Sequence, residues 1–458
     1  MRRCCNAHHK FAGLNRVFSR SDFDDWAVQG PDSCPKLRGQ TARPTGLAYG
    51  FGERLRRFIL LPSFMGAYNT AGKALFEDMI VRVKHKISIL VTCYVMGVLA
   101  ATVSIGAEPK ATPADAHPSS KRYTVKLNSG DNVYVGHPIV HNDRQTVLVR
   151  RNGRIKIFDA NDVDKVARVS SSFTPKTGRQ LRVELQKEFG SKYEVSLTKH
   201  YVVVHPPGAY KKWALPFEQF YIRFRQSLTA RGMSLKQPEF PMVAIVLLNR
   251  REYSRFTSKY TSFSFATDGY YNAHSNRMIT YDKGGNSGQS SSAPSFQTMT
   301  TVIHEATHQA AHNVGIHSRF FQQPLWFKEG LATLFEAPGI NNPIENRKPA
   351  DRINRNQLFV ASRGFKKHEK PGVVELLVRS DGAFKRDAGA AYAISWAMSS
   401  YLFEKFPRNY IRYIKLMNLE PKTSSRTPDE RLKVFTDSFG SPERIEGGVR
   451  TYISGLSK

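Results

Sequence analysis

The chain has 458 residues, 40% hydrophobic and 11% aromatic, enough apolar material for two or three packed domains and too much for a disordered chain. Its net charge of +30 is far from neutral. The basic residues are spread along the chain and no nucleic-acid-binding module announces itself, so no specific nucleic-acid partner is expected; the charge reads first as a generally basic, soluble surface, with an acidic polymer or an anionic membrane as the other reading.

Residues 79–107 read MIVRVKHKISILVTCYVMGVLAATVSIGA. Arg82, Lys84 and Lys86 precede an apolar run from Ile87, and small residues follow as far as Ala107. That is the order of a secretory signal peptide, beginning at Met79. Residues 1–78 are then expected to be an over-called or disordered leader. The protein is expected to be exported, periplasmic or secreted; the other reading is a membrane anchor formed by an uncleaved 87–107 segment, which is barely long enough to span. Cys4, Cys5, Cys34 and Cys93 all lie at or before the signal, so a chain cut after Ala107 has no thiol for disulfides, catalysis or metal. Residues 1–107 hold 15 of the 68 basic and 7 of the 38 acidic residues, so the remainder keeps a charge of +22.

Residues 108–121 are rich in Pro, Ala and Ser and read as a linker. Short alternating β-branched runs over 122–168, separated by NSGD and RNGR, predict hairpins forming a small SH3-like β-barrel. A helix is expected within FTPKTGRQLRVELQKEFG, two paired strands within YEVSLTKHYVVVHPPG, and an amphipathic helix stopped by Gly232. FPMVAIVLL reads as a buried strand and RMITYD as another after a polar loop; residues 283–295 read as a flexible loop. From Phe296 onward helical patterns dominate. Strands first and helices later predict an α+β protein, with 175–295 the α/β part of a catalytic domain and 296–458 its site helices and helical C-terminal subdomain.

TVIHEATHQAAH, residues 301–312, carries the chemistry. His304 and His308 are four apart, which on a helix puts both imidazoles on one face, one turn apart. Glu305 stands beside them. This is HExxH, in which two neutral imidazoles bind zinc and the glutamate acts as general base. Zinc needs a third protein ligand. His312 would place all three on one helix at poor angles and reads as a bystander. Downstream, PLWFKEGLATLFE (324–336) puts Glu329 and Glu336 seven apart on one helix face. Gly330 in mid-helix costs about 1 kcal/mol against alanine, a cost expected where another helix passes closely.

HEATH followed by WFKEGLATLFE resembles the gluzincin metallopeptidases, the clan of thermolysin and the membrane alanyl aminopeptidases. The resemblance implies Glu329 as the third zinc ligand and Glu336 as the carboxylate hydrogen-bonded to His304. It also implies a tyrosine that stabilises the oxyanion roughly sixty residues beyond the glutamate ligand. Tyr392, 63 residues beyond Glu329 in GAAYAISWAMSSYLFEKF, stands there; as a core aromatic packed with Trp396 it would have no such role. The chain lacks the aminopeptidases' G-x-M-E-N strand; the nearest candidate for a substrate-binding edge strand is SNRMITYD, 275–282, without that glutamate. Endopeptidase or other hydrolase activity is therefore favoured over aminopeptidase activity. A wider similarity over 175–457 is to an exported bacterial domain family of unknown function whose members are predicted peptidases. Together these imply an exported zinc (Zn2+) metallopeptidase acting on peptide or protein substrates. The other reading is a non-catalytic, metal-stabilised protein that binds an acidic cell-envelope polymer or anionic membrane, for which Glu305 would have no use.

Overall fold

The computed structural model describes residues 122–258, 267–283, 294–367, 371–419 and 425–457. The expected leader (1–78), signal (79–107) and linker (108–121) lie outside them, as does most of the loop expected at 283–295. Among the described residues ten strands and thirteen α-helices form two sheets and a helical half, an α+β architecture.

The alternating runs after residue 122 form β1 (Thr124–Ser129), β2 (Asn132–His141), β3 (Gln145–Val149), β4 (Ile155–Asp159) and β5 (Lys165–Ser170). They make an antiparallel sheet of order β4-β3-β2-β1-β5. The N-terminal half of β2 pairs with β1 and its C-terminal half with β3. The change of partner falls at Gly136, where a Cβ would stand 2.4 Å from the Val149 carbonyl oxygen. Val125 and Leu127 of β1 share a buried cluster with Leu148 of β3 and Phe158 of β4, so the sheet curls around its own small core. Among the described residues no ladder joins β4 to β5. The expected barrel is thus seen as a curled five-stranded sheet, reaching Ser170 rather than residue 168.

The second sheet contains β6 (Glu194–Leu197), β7 (Tyr201–His205), β8 (Met242–Leu247), β9 (Gly269–Asn272) and β10 (Arg277–Tyr281), in the order β6-β7-β8-β10-β9. β7, β8 and β10 run parallel and are buried along their whole length, which is why they read as continuous apolar runs. Their side chains alternate between two cores. Val202, Val204, Ile245 and Ile279 face helices α1 (Gly178–Phe189) and α3 (Arg250–Ser258). Tyr201, Val203, Ala244 and Met278 face α2 (Tyr210–Thr229) and the helix Phe296–Asn313. A capping box between Thr177 and Gln180 starts α1, and Gly190 at φ 69° ends it.

Two expectations are corrected. The 275–282 segment is not an edge strand: β10 lies between β8 and β9 and is fully buried. The edge is Gly269–Asn272, a four-residue strand with no apolar signature of its own. And the polar loop before it contains helix α3, whose buried Tyr253 packs on the sheet.

The helical half consists of α4 (Phe296–Asn313), α5 (Leu325–Phe335), α6 (Pro338–Asn341), α7 (Arg355–Lys367), α8 (Val373–Arg379), α9 (Gly382–Arg386), α10 (Ala388–Lys405), α11 (Pro407–Asn418), α12 (Pro428–Phe439) and α13 (Pro442–Leu456). α10 runs through its centre, buried on almost every side. α5 lies directly on α10: a Cβ on Gly330 would stand 2.5 Å from the Ser395 carbonyl oxygen and 2.2 Å from Ser399 Oγ. The close helix approach inferred from that mid-helix glycine is present.

The curled sheet docks beside β9. Ile155 N donates to His274 O at 2.7 Å, and Arg319, between α4 and α5, donates to Ala273 O at 2.8 Å and Gly153 O at 2.6 Å. Among the described residues no helix is long and apolar enough to cross a membrane, and the candidate anchor at 87–107 lies outside them.

Candidate metal centre

The HExxH stretch is the middle of α4, capped at its start by Ser295, whose side chain accepts from Thr298 N. Its apolar face, including Val302, Ile303, Ala306 and Ala310, packs into the main core. That leaves His304 and His308 on the face turned toward α5.

The structure brings His304, His308 and Glu329 together. His304 Nε2 and His308 Nε2 are 3.2 Å apart. Glu329 Oε2 lies 3.3 Å from the first and 3.2 Å from the second. Ligand atoms held at 2.0–2.1 Å around a tetrahedral ion stand about 3.3–3.4 Å from one another. This near-equilateral triangle is therefore one face of a zinc-sized tetrahedron, and the two-nitrogen, one-carboxylate donor set suits zinc.

The electrostatics point the same way. Burial opposes charge on His304, but hydrogen bonds with Glu329 and Glu336 outweigh it and raise the imidazole well above its ordinary pKa. Burial likewise opposes charge on Glu329, but His308 and His304 hold its carboxyl well below the usual range. The pocket thus stabilises a positive charge at the centre of the triangle, where a cation competes with the proton.

Glu336, seven residues past Glu329, places Oε1 2.7 Å from His304 Nδ1. That contact fixes which ring nitrogen is protonated and leaves Nε2 free to face the triangle. Asn354, at the start of α7, donates from Nδ2 to Glu336 Oε2 at 2.7 Å and so holds this carboxylate in turn. Glu305 lies next to the triangle and accepts from the backbone N–H of Tyr271, on edge strand β9, at 2.7 Å. Burial raises its pKa, and the neighbouring histidines offset only part of that rise. A carboxylate tuned upward in this way suits proton transfer near neutral pH.

Tyr392, in the second turn of α10, has its ring centroid 6.4 Å from that of His304 and packs edge-on against Phe384. The charge of Glu329, then burial, push its phenol well above the usual range, so the hydroxyl keeps its proton and remains a donor. His312 is not part of the triangle. Its ring lies against Tyr271 and His317, and burial drives its pKa well down.

The sequence reading missed Asn354 and Tyr271. Asn354 carries only a helix-start signal, since its side chain also accepts from Gln357 N, and Tyr271 acts through its backbone, which no side-chain pattern reports. It also missed a buried clasp: Gln309 donates to Asn276 O and Val243 O, and Asn313 exchanges side-chain hydrogen bonds with Asn276. Asn276 sits at φ 56°, turning β9 into β10. This clasp ties the site helix to the strand that holds Glu305.

Residues 298–428 match a family model described as "Protein of unknown function (DUF1570)". The match starts in the first turn of α4 and ends at the start of α12, and so includes the triangle, Glu336, Asn354 and Tyr392. No curated protein matches the chain.

Proposed function

We propose that the protein is an exported zinc-dependent metallohydrolase of gluzincin type, acting as a peptidase on peptide or protein substrates. The observation that carries this reading is the triangle of His304 Nε2, His308 Nε2 and Glu329 Oε2 at 3.2–3.3 Å with Glu305 beside it. A purely structural metal would be enclosed by four protein ligands, whereas three ligands plus an adjacent base are the arrangement of hydrolytic sites.

Bound there, zinc supplies Lewis-acid chemistry toward a carbonyl and toward water. Everything else belongs to the chain. Glu305 accepts a proton from attacking water and returns it to the leaving amine. Tyr392 donates a hydrogen bond to the oxygen on which negative charge develops. Glu336 and Asn354 hold His304 in its ligating tautomer. β9 is the edge strand of its sheet, next to Glu305, and an extended peptide adding to it as a strand would bring its backbone past the base. The curled sheet at one end of β9 supports the view that it bounds the substrate cleft.

The test compares full-length wild type with Glu305→Gln for metal content and for cleavage of a broad peptide library. The expected result is about one zinc in each and cleavage by wild type alone, with a loss of at least a hundredfold in the variant. Zinc in both with cleavage by neither would favour the metal-stabilised binding protein, and wild type without zinc would remove the site.

A further inference from the structure

A cavity of about 440 Å³ opens between the C-terminal part of α2 and the segment from α6 to residue 352. Its polar lining is dominated by guanidinium groups. Arg223 and Arg231 come from α2 and the turn after it, Arg347 from the connection after α6, and Arg352 from the 3-10 turn that follows. Ile340 and Ile344 line the remainder; Ile340 is buried, while Ile344 is 63% exposed at the rim.

Counter-charge here is short. Arg231 and Arg352 share one oxygen of Glu404, at 3.6 Å and 2.6 Å. Arg223 has Glu345 at 3.8 Å, and that glutamate is 71% exposed. Among the described residues Arg347 donates one hydrogen bond, from Nε to the Ile344 carbonyl. Four arginines thus line one space and meet two carboxylates, and Arg231 is held by the Ser227 carbonyl and hydroxyl, to which it donates at 2.8 Å and 3.2 Å, and by the Phe403 ring 4.3 Å beneath it. Burial lowers the Arg231 pKa; Glu404 offsets part of that and Arg352 adds to it, leaving a net cost that a bound anion would relieve. Guanidinium-bearing side chains from separate elements around one space match a tetrahedral phosphoryl group, with several acceptor oxygens, better than a single carboxylate, which one fork satisfies. The volume leaves room beyond the anion itself, and the isoleucines make that room apolar.

We propose that this cavity binds a phosphate ester, its phosphoryl oxygens gripped by Arg223, Arg231, Arg347 and Arg352 and its ester group lying along Ile340 and Ile344. The site is independent of the metal-centre reading, although the two are linked through the chain. A Cβ on Gly339 would meet the backbone of Arg352 at 2.8 Å, and two residues later Asn354 holds Glu336. A ligand that immobilises Arg347 and Arg352 would also steady the segment that orients His304.

The experiment uses the full-length chain and calorimetric titration with glycerol 3-phosphate, alongside co-sedimentation with vesicles of phosphatidylglycerol in phosphatidylcholine and of phosphatidylcholine alone. Two double variants control for bulk charge. Arg223→Gln with Arg347→Gln strips the cavity; Arg179→Gln with Arg182→Gln removes the same charge from the surface of α1. Circular dichroism verifies that both fold. Saturable binding of glycerol 3-phosphate, weakened at least tenfold by the cavity pair and less than twofold by the α1 pair, is the expected result and identifies a soluble ester. The same pattern seen only with phosphatidylglycerol vesicles also supports the site and makes a lipid headgroup its source. Equal weakening by both pairs, or no binding of either probe to wild type, overturns the proposal.

Discussion

Gly330→Ala sets helix propensity against packing at one position. Alanine in mid-helix gains about 1 kcal/mol over glycine. At Gly330 the added methyl would stand 2.2 Å from Ser399 Oγ and 2.5 Å from the Ser395 carbonyl oxygen. Ser399 can turn its hydroxyl away, but a backbone carbonyl cannot. To reach ordinary contact at 3.4 Å, α5 must retreat from α10 by about 0.9 Å. Overpacking of this kind costs about 3 kcal/mol at the upper end of its usual range, leaving a net loss of about 2 kcal/mol. Glu329 is the preceding residue and moves with the helix, whereas metal ligands tolerate displacements of only about 0.2 Å. The variant is therefore expected to lose zinc affinity by tenfold or more as well as stability. Gly447→Ala is the control, because a Cβ there, on helix α13, meets nothing within 4 Å. It is expected to stabilise by up to about 1 kcal/mol and leave metal binding unchanged. Denaturant unfolding and chelator competition read both quantities. If Gly330→Ala stabilises as Gly447→Ala does and keeps its zinc, the close α5–α10 packing and its role in placing Glu329 are wrong.

Three further predictions test the site and the fold. Glu336→Ala removes the partner of His304 Nδ1 and is expected to weaken zinc binding about 10–100-fold, measured by chelator competition; unchanged affinity would dismiss its orienting role. Tyr392→Phe is expected to retain zinc and lower kcat by about 10²–10³ with little change in KM, and wild-type kcat would remove Tyr392 from the oxyanion role. At Glu188, burial pushes the carboxyl pKa up, but the bidentate Arg277 guanidinium at 2.7 Å outweighs it and holds the pKa below its ordinary value. A pKa depressed on folding contributes stability above the unfolded carboxylate pKa and loses it as pH falls through the folded one. Glu188→Gln should therefore be less stable than wild type at neutral pH and lose less on acidification; parallel acid-unfolding curves would contradict this.

The elements of the site were legible along the chain because helix periodicity is local. His304 and His308 share a face whatever the rest of the protein does, and the 3.6-residue repeat relates Glu329 to Glu336 in the same way. Gly330 announced a close helix neighbour, since only a missing Cβ justifies its propensity cost. The continuous apolar runs of β7 and β8 likewise declared strands covered on both faces. What no local pattern carried was the order of strands. RMITYD and GYYN differ in length and polarity, yet only pairing in three dimensions puts the first inside the sheet and the second at its edge. Asn354, the Tyr271 amide and the Asn276–Asn313 clasp belong to the same class: each acts by meeting a group 18 to 37 positions away, and such meetings depend on how the helices and sheets pack. The sequence by itself determined which side chains are the candidates to hold a metal and to move a proton. The tertiary structure alone decided that Glu329 Oε2 stands within 3.3 Å of both imidazoles, because those distances are set by the contact of α4 with α5 and of α5 with α10 rather than by any spacing along the chain.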